Sequence, residues 1–472
     1  MRSPRPVSDR DAGGVPAPGL NKIFEVVIRG GRIVTPEGIQ DADVGVVDGR
    51  IARIAPAIED DAALVIEAEG RYLFPGIIDA RVHFNEPGPA EWEGFATGSA
   101  ALAAGGGTSY FDLPHHSEPP VLDAAALREK RRLAEETSCL DFALWGGLGP
   151  QNLDKLAALR DAGAIGLHAF MGPDGTGSLP TVDATVLREG MKRAAKLGMI
   201  VAVHAEDATL VAQYSAIQKG KNRKTAAAWL ASRPVETELA AIGLALELAG
   251  ETGCALHVAH VSSPEGLGLI DEARMQRVDV TAETSPHYLL LNARDVARIG
   301  VTAKCSPPIR EEASRAELWR DLRADRIQNI ASDHSPAPPE QRPKGDFHSA
   351  WSGVAGCQHG FALLLSACEA TADQDLPRLA ALLARNVARR FQLDIHKGVI
   401  AEGKDADFSL IEFGSAHAIK ADELWTRHRS SVYVGRRSKA RVTHTFLRGA
   451  AVYADGRLVN LSAPGRFLRP QR

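Results

Sequence analysis

Cysteine is scarce in this 472-residue chain. Five residues, Cys139, Cys254, Cys305, Cys357 and Cys368, are scattered with no C-x-x-C pair among them. That spacing excludes a zinc-ribbon or thioredoxin-like motif. With no secretory signal at the start, reduced thiols and a cytoplasmic location are expected. No apolar run approaches the ~20 residues a membrane helix needs, so no membrane partner is expected. Charge of one sign is not concentrated anywhere: 55 basic side chains face 59 acidic ones for a formal charge of -4, and no basic block stands out. Nucleic acid is therefore not an expected partner. A G-x-G-x-x-G dinucleotide loop is missing too. Asp174-Gly175-Thr176-Gly177-Ser178 is glycine-rich, but no Lys-Ser/Thr follows it, so it gives little support to phosphate binding.

What the chain does contain is alternation. After a Pro-, Gly- and Arg-rich tail over residues 1–22, expected to be disordered, short alternating β segments run from Phe24 to Ile54, punctuated by Gly30-Gly31 and Asp48-Gly49. The same texture returns in Asp407 to Glu412, Ala440 to Arg448 and Ala451 to Val459. The economical reading is one β-sandwich built from both chain ends, residues 23–74 and 396–472. Two unrelated β caps are the alternative. Between them, residues 75–395 alternate β-like and helix-like segments, which argues for parallel α/β units. Eight strands are predicted: Ile77 to His83, Thr108 to Leu113, Phe142 to Gly147, Ala164 to Phe170, Met199 to His204, Ala255 to Val261, Val278 to Glu283 and Ile327 to Ser332. The expected fold is an α/β (β/α)8 TIM barrel carrying a small β-sandwich domain, with a doubly wound open sheet as the alternative.

Polar residues cluster at the C-terminal ends of these strands, where α/β barrels place their chemistry. Asp79, Arg81 and His83 share one face of the first strand by the period of two. Asp112, His168, His204, His260, Glu283 and Asp333 close later strands and are expected to converge on one mouth. A single strand-end histidine is ordinarily a hydrogen-bonded core residue. His168, His204 and His260 close three consecutive strands, each behind apolar residues that fix its direction. Three neutral imidazoles plus water describe a catalytic zinc site. Asp333, in ASDHSP, is placed to take a proton from an attacking water and pass it to a leaving nitrogen.

The stretch PGIIDARVHFNEPG, from Pro75 to Gly88, resembles the opening signature of the cyclic amidohydrolases, the dihydroorotases, hydantoinases and allantoinases. EWEGF, AAGGGTSYFDLP and SSVYVGRRSKARV are most similar to the allantoinase branch, and the resemblance spans about Val27 to Leu461. It implies a hydrolase that opens a cyclic amide, imide or ureide. It also implies a binuclear metal centre held by His-x-His, a carbamylated lysine, two further histidines and an aspartate. Two of those six positions differ here: Arg81 stands for the first histidine, and His168 for the lysine. Histidine cannot become a carbamate, so no carbamylated residue is expected at position 168. Arg81 brings a permanent cation where a ligand would sit. The metal ligands implied are thus His83, His168, His204, His260 and Asp333, holding one zinc ion rather than two, centred on the three strand-end histidines. Asp333 and Arg81 are the candidate catalytic residues, Arg81 as an oxyanion-stabilising group. His116, which replaces a substrate-binding asparagine of the family, is a candidate substrate contact with Ser306 and Arg310. The GDFHSAWSGVAG loop, Gly345 to Gly356, is expected to cover the barrel mouth. Expected partners are a small cyclic amide and further copies of the chain, as a dimer or tetramer. The alternative function is an inactive homologue serving as an assembly or regulatory scaffold.

Overall fold

The computed structural model of the chain describes residues 24–173, 178–459 and 465–471. The expected disordered tail, residues 1–22, and all of the DGTGS loop but Ser178 lie outside the described residues.

Eight parallel strand positions form the barrel. Ile77–Val82, Gly107–Asp112 and Asp141–Leu144 pair in that order, and the third continues after Trp145 as Gly146–Gly147. From there Leu167–Phe170, Val201–His204, Leu256–Val258, Val280–Thr284 and Asn329–Ile330 follow, each parallel to the last. The ring closes where Val82 bridges His334 in parallel and the His83 amide donates to the His334 carbonyl at 2.8 Å. That closure excludes the doubly wound open sheet. Helices start and stop on local chemistry: Asp183 and Asp207 accept from the amides of Val186 and Leu210, and Gly163, Gly198 and Gly253 end helices in the left-handed conformation. The small-residue helix Phe95–Ala104 lies so close to the first strand's end that a Cβ on Gly98 would come within 2.4 Å of the Phe84 ring. Ile78, Ala80, Phe111, Ala143 and Ala202 fill the barrel interior together with Phe391, which follows the last barrel helix. The opposite, C-terminal end is left open for polar groups.

Both chain ends meet in one nine-stranded sheet. Tyr72–Pro75 pairs parallel with Phe24–Thr35 and antiparallel with Phe408–Ala418, which joins the N-terminal strands to the C-terminal ones. This β domain has its own core, including Val44, Ile51, Leu73, Phe408 and Phe446. Buried Lys397 ties it to the barrel. Its Nζ lies 2.8 Å from Asp141, 3.2 Å from Asp405 and 2.5 Å from Asp407, and these charges hold its ammonium well above the ordinary lysine range against the pull of burial. Among the described residues no helix is long and apolar enough to cross a membrane.

Candidate active site

The strand ends open into a cavity of about 810 Å³ lined by Arg81, His83, His115, His116, His204 and Asp333, among others. Arg81 is the hub. Its guanidinium is 4% exposed, and its Nε donates to Asp333 Oδ1 at 2.9 Å while Nη1 lies 2.7 Å from His168 Nε2. Arginine offers donors only, so His168 Nε2 must accept this bond. The other ring nitrogen, Nδ1, then carries the hydrogen and is buried with no partner among the described residues. Asp333 also faces His83 Nε2 at 3.5 Å. Burial opposes ionisation of Asp333, but the charge of Arg81, with His83 and His260, outweighs it and holds the carboxyl well below its ordinary range.

His204 and His260 meet differently. His204 Nδ1 is 2.9 Å from His260 Nε2, and His204 Nε2 is 3.2 Å from Glu206 Oε2, which is itself bound by Arg233. Burial first, and then the Arg81 charge, press His168 and His260 well below the ordinary histidine range, so both are neutral near pH 7. Burial likewise lowers His83.

Four expected site residues do not line the cavity, and one of them is His168, fully buried behind Arg81. Arg310 is turned away: its guanidinium donates to Glu238, to Ser262 Oγ at 3.0 Å and to the Arg233 carbonyl, so it braces the pocket wall rather than meeting substrate. Asp112 is taken by Lys130 at 2.5 Å and by the Phe84 amide, and Glu283 pairs with His257 at 3.2 Å. Ser306 does line the cavity, sharing a 2.7 Å hydrogen bond with Ser352. The 345–356 loop lies over the mouth as expected. Its Trp351 ring stands 4.9 Å from His116 and 4.8 Å from Trp92.

Sequence reasoning missed several groups. Glu206 lies two residues past the end of the Val201–His204 strand, where the period of two no longer fixes direction. Arg233 comes from a helix end with no signal either. Lys304 reaches the cavity from the KCSPPIR segment, its Nζ 4.1 Å above the Trp229 ring and bonded to the Ala350 carbonyl. Burial, reinforced by the Arg233 charge, lowers its amine to about 7.

The residues present do not fit a binuclear centre. A bridging anion is missing at position 168, and the Arg81 cation lies between Asp333 and His168, where two further cations would be repelled. The single site expected from His168, His204 and His260 is not assembled either. Among the described residues, these three do not bring one ligand atom each within 4.8 Å of one another. In addition, the Arg81 bond occupies the His168 Nε2 lone pair that a metal would need.

A closed barrel with ionisable side chains gathered on its C-terminal strand ends, around a polar cavity partly lined by a loop, is the architecture of the (β/α)8-barrel enzymes. The profile of the Amidohydrolase family matches residues 72–452. A protein named allantoinase from Deinococcus radiodurans is 44% identical over 448 residues, 95% of this chain and 99% of that one. Another so named, from Rubrobacter xylanophilus, is 44% identical over 451 residues, 95% and 98% of the two chains. Among solved structures, the L-hydantoinase of Arthrobacter aurescens superposes with a TM-score of 0.92 at 31% identity, covering 95% of this chain and all of that one. The chain belongs to the amidohydrolase family, on its cyclic-amide-hydrolysing branch.

Proposed function

We propose that the protein hydrolyses a C–N bond in a small polar ring, a cyclic ureide, imide or amide, with Asp333 and Arg81 at the reacting centre. The observation that carries this reading is the Arg81–Asp333 pair on the cavity wall. Asp333 is held ionised and aimed by the Arg81 Nε. Arg81 Nη2 has no hydrogen-bond partner among the described residues and is left to meet an incoming carbonyl. In the proposed reaction water adds to the ring carbonyl carbon, and Arg81 stabilises the oxygen that becomes negative. The water's proton passes to Asp333 and then to the ring nitrogen, which leaves as the C–N bond breaks. Ser306 and Trp351 line the cavity, and in this reading they select the ring.

Allantoin is the first ring to assay, because two relatives 44% identical over 95% of this chain are named allantoinase. Hydantoin, dihydrouracil and dihydroorotate form the rest of the panel. Ring opening of at least one, abolished by Asp333→Asn, supports the reading. A folded protein, supplied with zinc, that opens none of them refutes it and leaves the scaffold reading, which the bonding of Arg81 to both Asp333 and His168 favours in that event. Assembly into a symmetric dimer or tetramer is part of the proposal, and a monomeric mass by light scattering at micromolar concentration would reject it.

A further inference from the structure

One cluster in the cavity belongs to none of the family's ligand positions save His83. One ring nitrogen from each of His83, His115 and His116 lies within 4.8 Å of the other two. The rings are close in every pairing, with centroids 4.6 Å apart for His83 and His115, 4.9 Å for His83 and His116, and 4.0 Å for His115 and His116. All three are buried yet line the cavity. We propose that His83, His115 and His116 hold one divalent transition-metal ion of the zinc class, displaced from the position that Arg81 now fills.

Three observations carry it. The first is the state of His83. Asp333 Oδ1 faces its Nε2 at 3.5 Å, while its Nδ1 is buried with no hydrogen-bond partner among the described residues. This is the carboxylate–histidine arrangement that orients metal ligands. The second is His115, whose Nδ1 is also buried without a partner among the described residues. Buried polar atoms left unmet are unfavourable, and an ion would satisfy them. The third is the way the loop is held. His116 stands at φ +59 in the left-handed region, unusual for a histidine, a conformation that persists where the surroundings impose it. Lys130 imposes it from beneath: its Nζ binds the Leu113 carbonyl at 2.8 Å, Ser117 Oγ at 2.6 Å and Asp112 at 2.5 Å, pinning both sides of the His115-His116 pair.

The donor set suits the ion. Three imidazoles beside the cavity match the protein ligand count of a catalytic zinc site, which leaves a fourth position for water or substrate. The acidic cluster of Asp141, Asp405 and Asp407 offers no such site, because Lys397 occupies it. The role of an ion beside Asp333, supplying the Lewis acidity that so weak a base lacks, rests on the hydrolytic reading above. Its binding does not.

The test uses the full chain, stripped with a chelator and titrated with Co²⁺ by visible absorption and with Zn²⁺ by calorimetry. One ion per chain is expected. His115→Ala and His116→Ala, and also the milder His115→Asn, should each weaken binding by more than ~100-fold, since loss even of a ligand's outer hydrogen-bond partner costs 10–100-fold. Circular dichroism verifies that each is folded. His168→Ala and His260→Ala should stay within about threefold of the parent, as neither would be a ligand. The inference is overturned if binding survives in all the position 115 and 116 variants, if it is lost in His168→Ala or His260→Ala, or if the parent takes up no ion at micromolar concentration. Stoichiometric binding at these histidines without ring opening refutes the proposed function alone. Ring opening by a protein whose metal binding is indifferent to His115 and His116 refutes the site alone.

Discussion

Replacing Arg81 by methionine keeps the reach of the side chain and removes its charge, and Asp79 is the benchmark for a carboxyl left without that charge. Asp79 is fully buried on the same strand as Arg81, accepts the Ser332 amide at 2.9 Å and forms no ion pair among the described residues; burial pushes its carboxyl up to about 7. Asp333 is similarly buried but sits well below the ordinary range because Arg81 is 2.9 Å away. In the parent, its depressed value contributes stability above the unfolded pKa of ~3.9, lost as the pH falls through the folded value. In Arg81→Met the sign reverses. Asp333 moves up toward the value of Asp79, and ionising it in the folded state costs stability as the pH rises. Removing one partner of a buried pair costs about 3–5 kcal/mol near pH 7.5. At pH 5 the variant's Asp333 is protonated, so the loss relative to the parent shrinks by about 2–3 kcal/mol. Urea denaturation of both proteins at the two pH values measures this. A loss below ~1 kcal/mol, or one that does not change with pH, would refute the reasoning.

The same electrostatics sets two further outcomes. Asp79→Asn removes a carboxylate whose raised value penalises the folded state as pH rises from ~4 to 7, so it should stabilise the protein by about 2–4 kcal/mol above pH 7 and by nothing near pH 4; equal effects at both would contradict the burial argument. Lys304, lowered to about 7, should be acetylated by acetic anhydride with a midpoint near neutrality, far below the ordinary lysine range, as read by peptide mass spectrometry across pH; a midpoint near ~10 would show a solvated ammonium.

The barrel was legible because each strand is a short apolar run ending in a polar residue, and the closure at Val82 and His334 needed no signal beyond their count. Both halves of the β domain were visible from alternation and Gly turns, although the long Phe408–Ala418 strand exceeds its predicted core because its far half is only partly buried. The site was less legible. Strand-end spacing puts His168 on its strand but cannot say that it stays buried off the cavity or which group takes its lone pair, and Arg81, 87 positions earlier, decides the latter. Arg310 looked like a substrate contact because a loop arginine reads the same whether it faces a ligand or Glu238. His115 lies beyond the end of its strand, where the period of two no longer fixes direction, and only the loop geometry brings both its ring and that of His116 to His83.

The central claim is that Arg81 is a working part of a hydrolytic site. Arg81→Lys tests it most directly, because lysine keeps the charge but cannot bridge Asp333 and His168 while offering a third donor to substrate. With ring opening of allantoin, or whichever ring of the panel the parent accepts, followed at saturating substrate and zinc, kcat should fall ~10²–10³-fold, as for loss of an oxyanion donor, with KM little changed. A folded Arg81→Lys variant that turns over as fast as the parent would contradict the account.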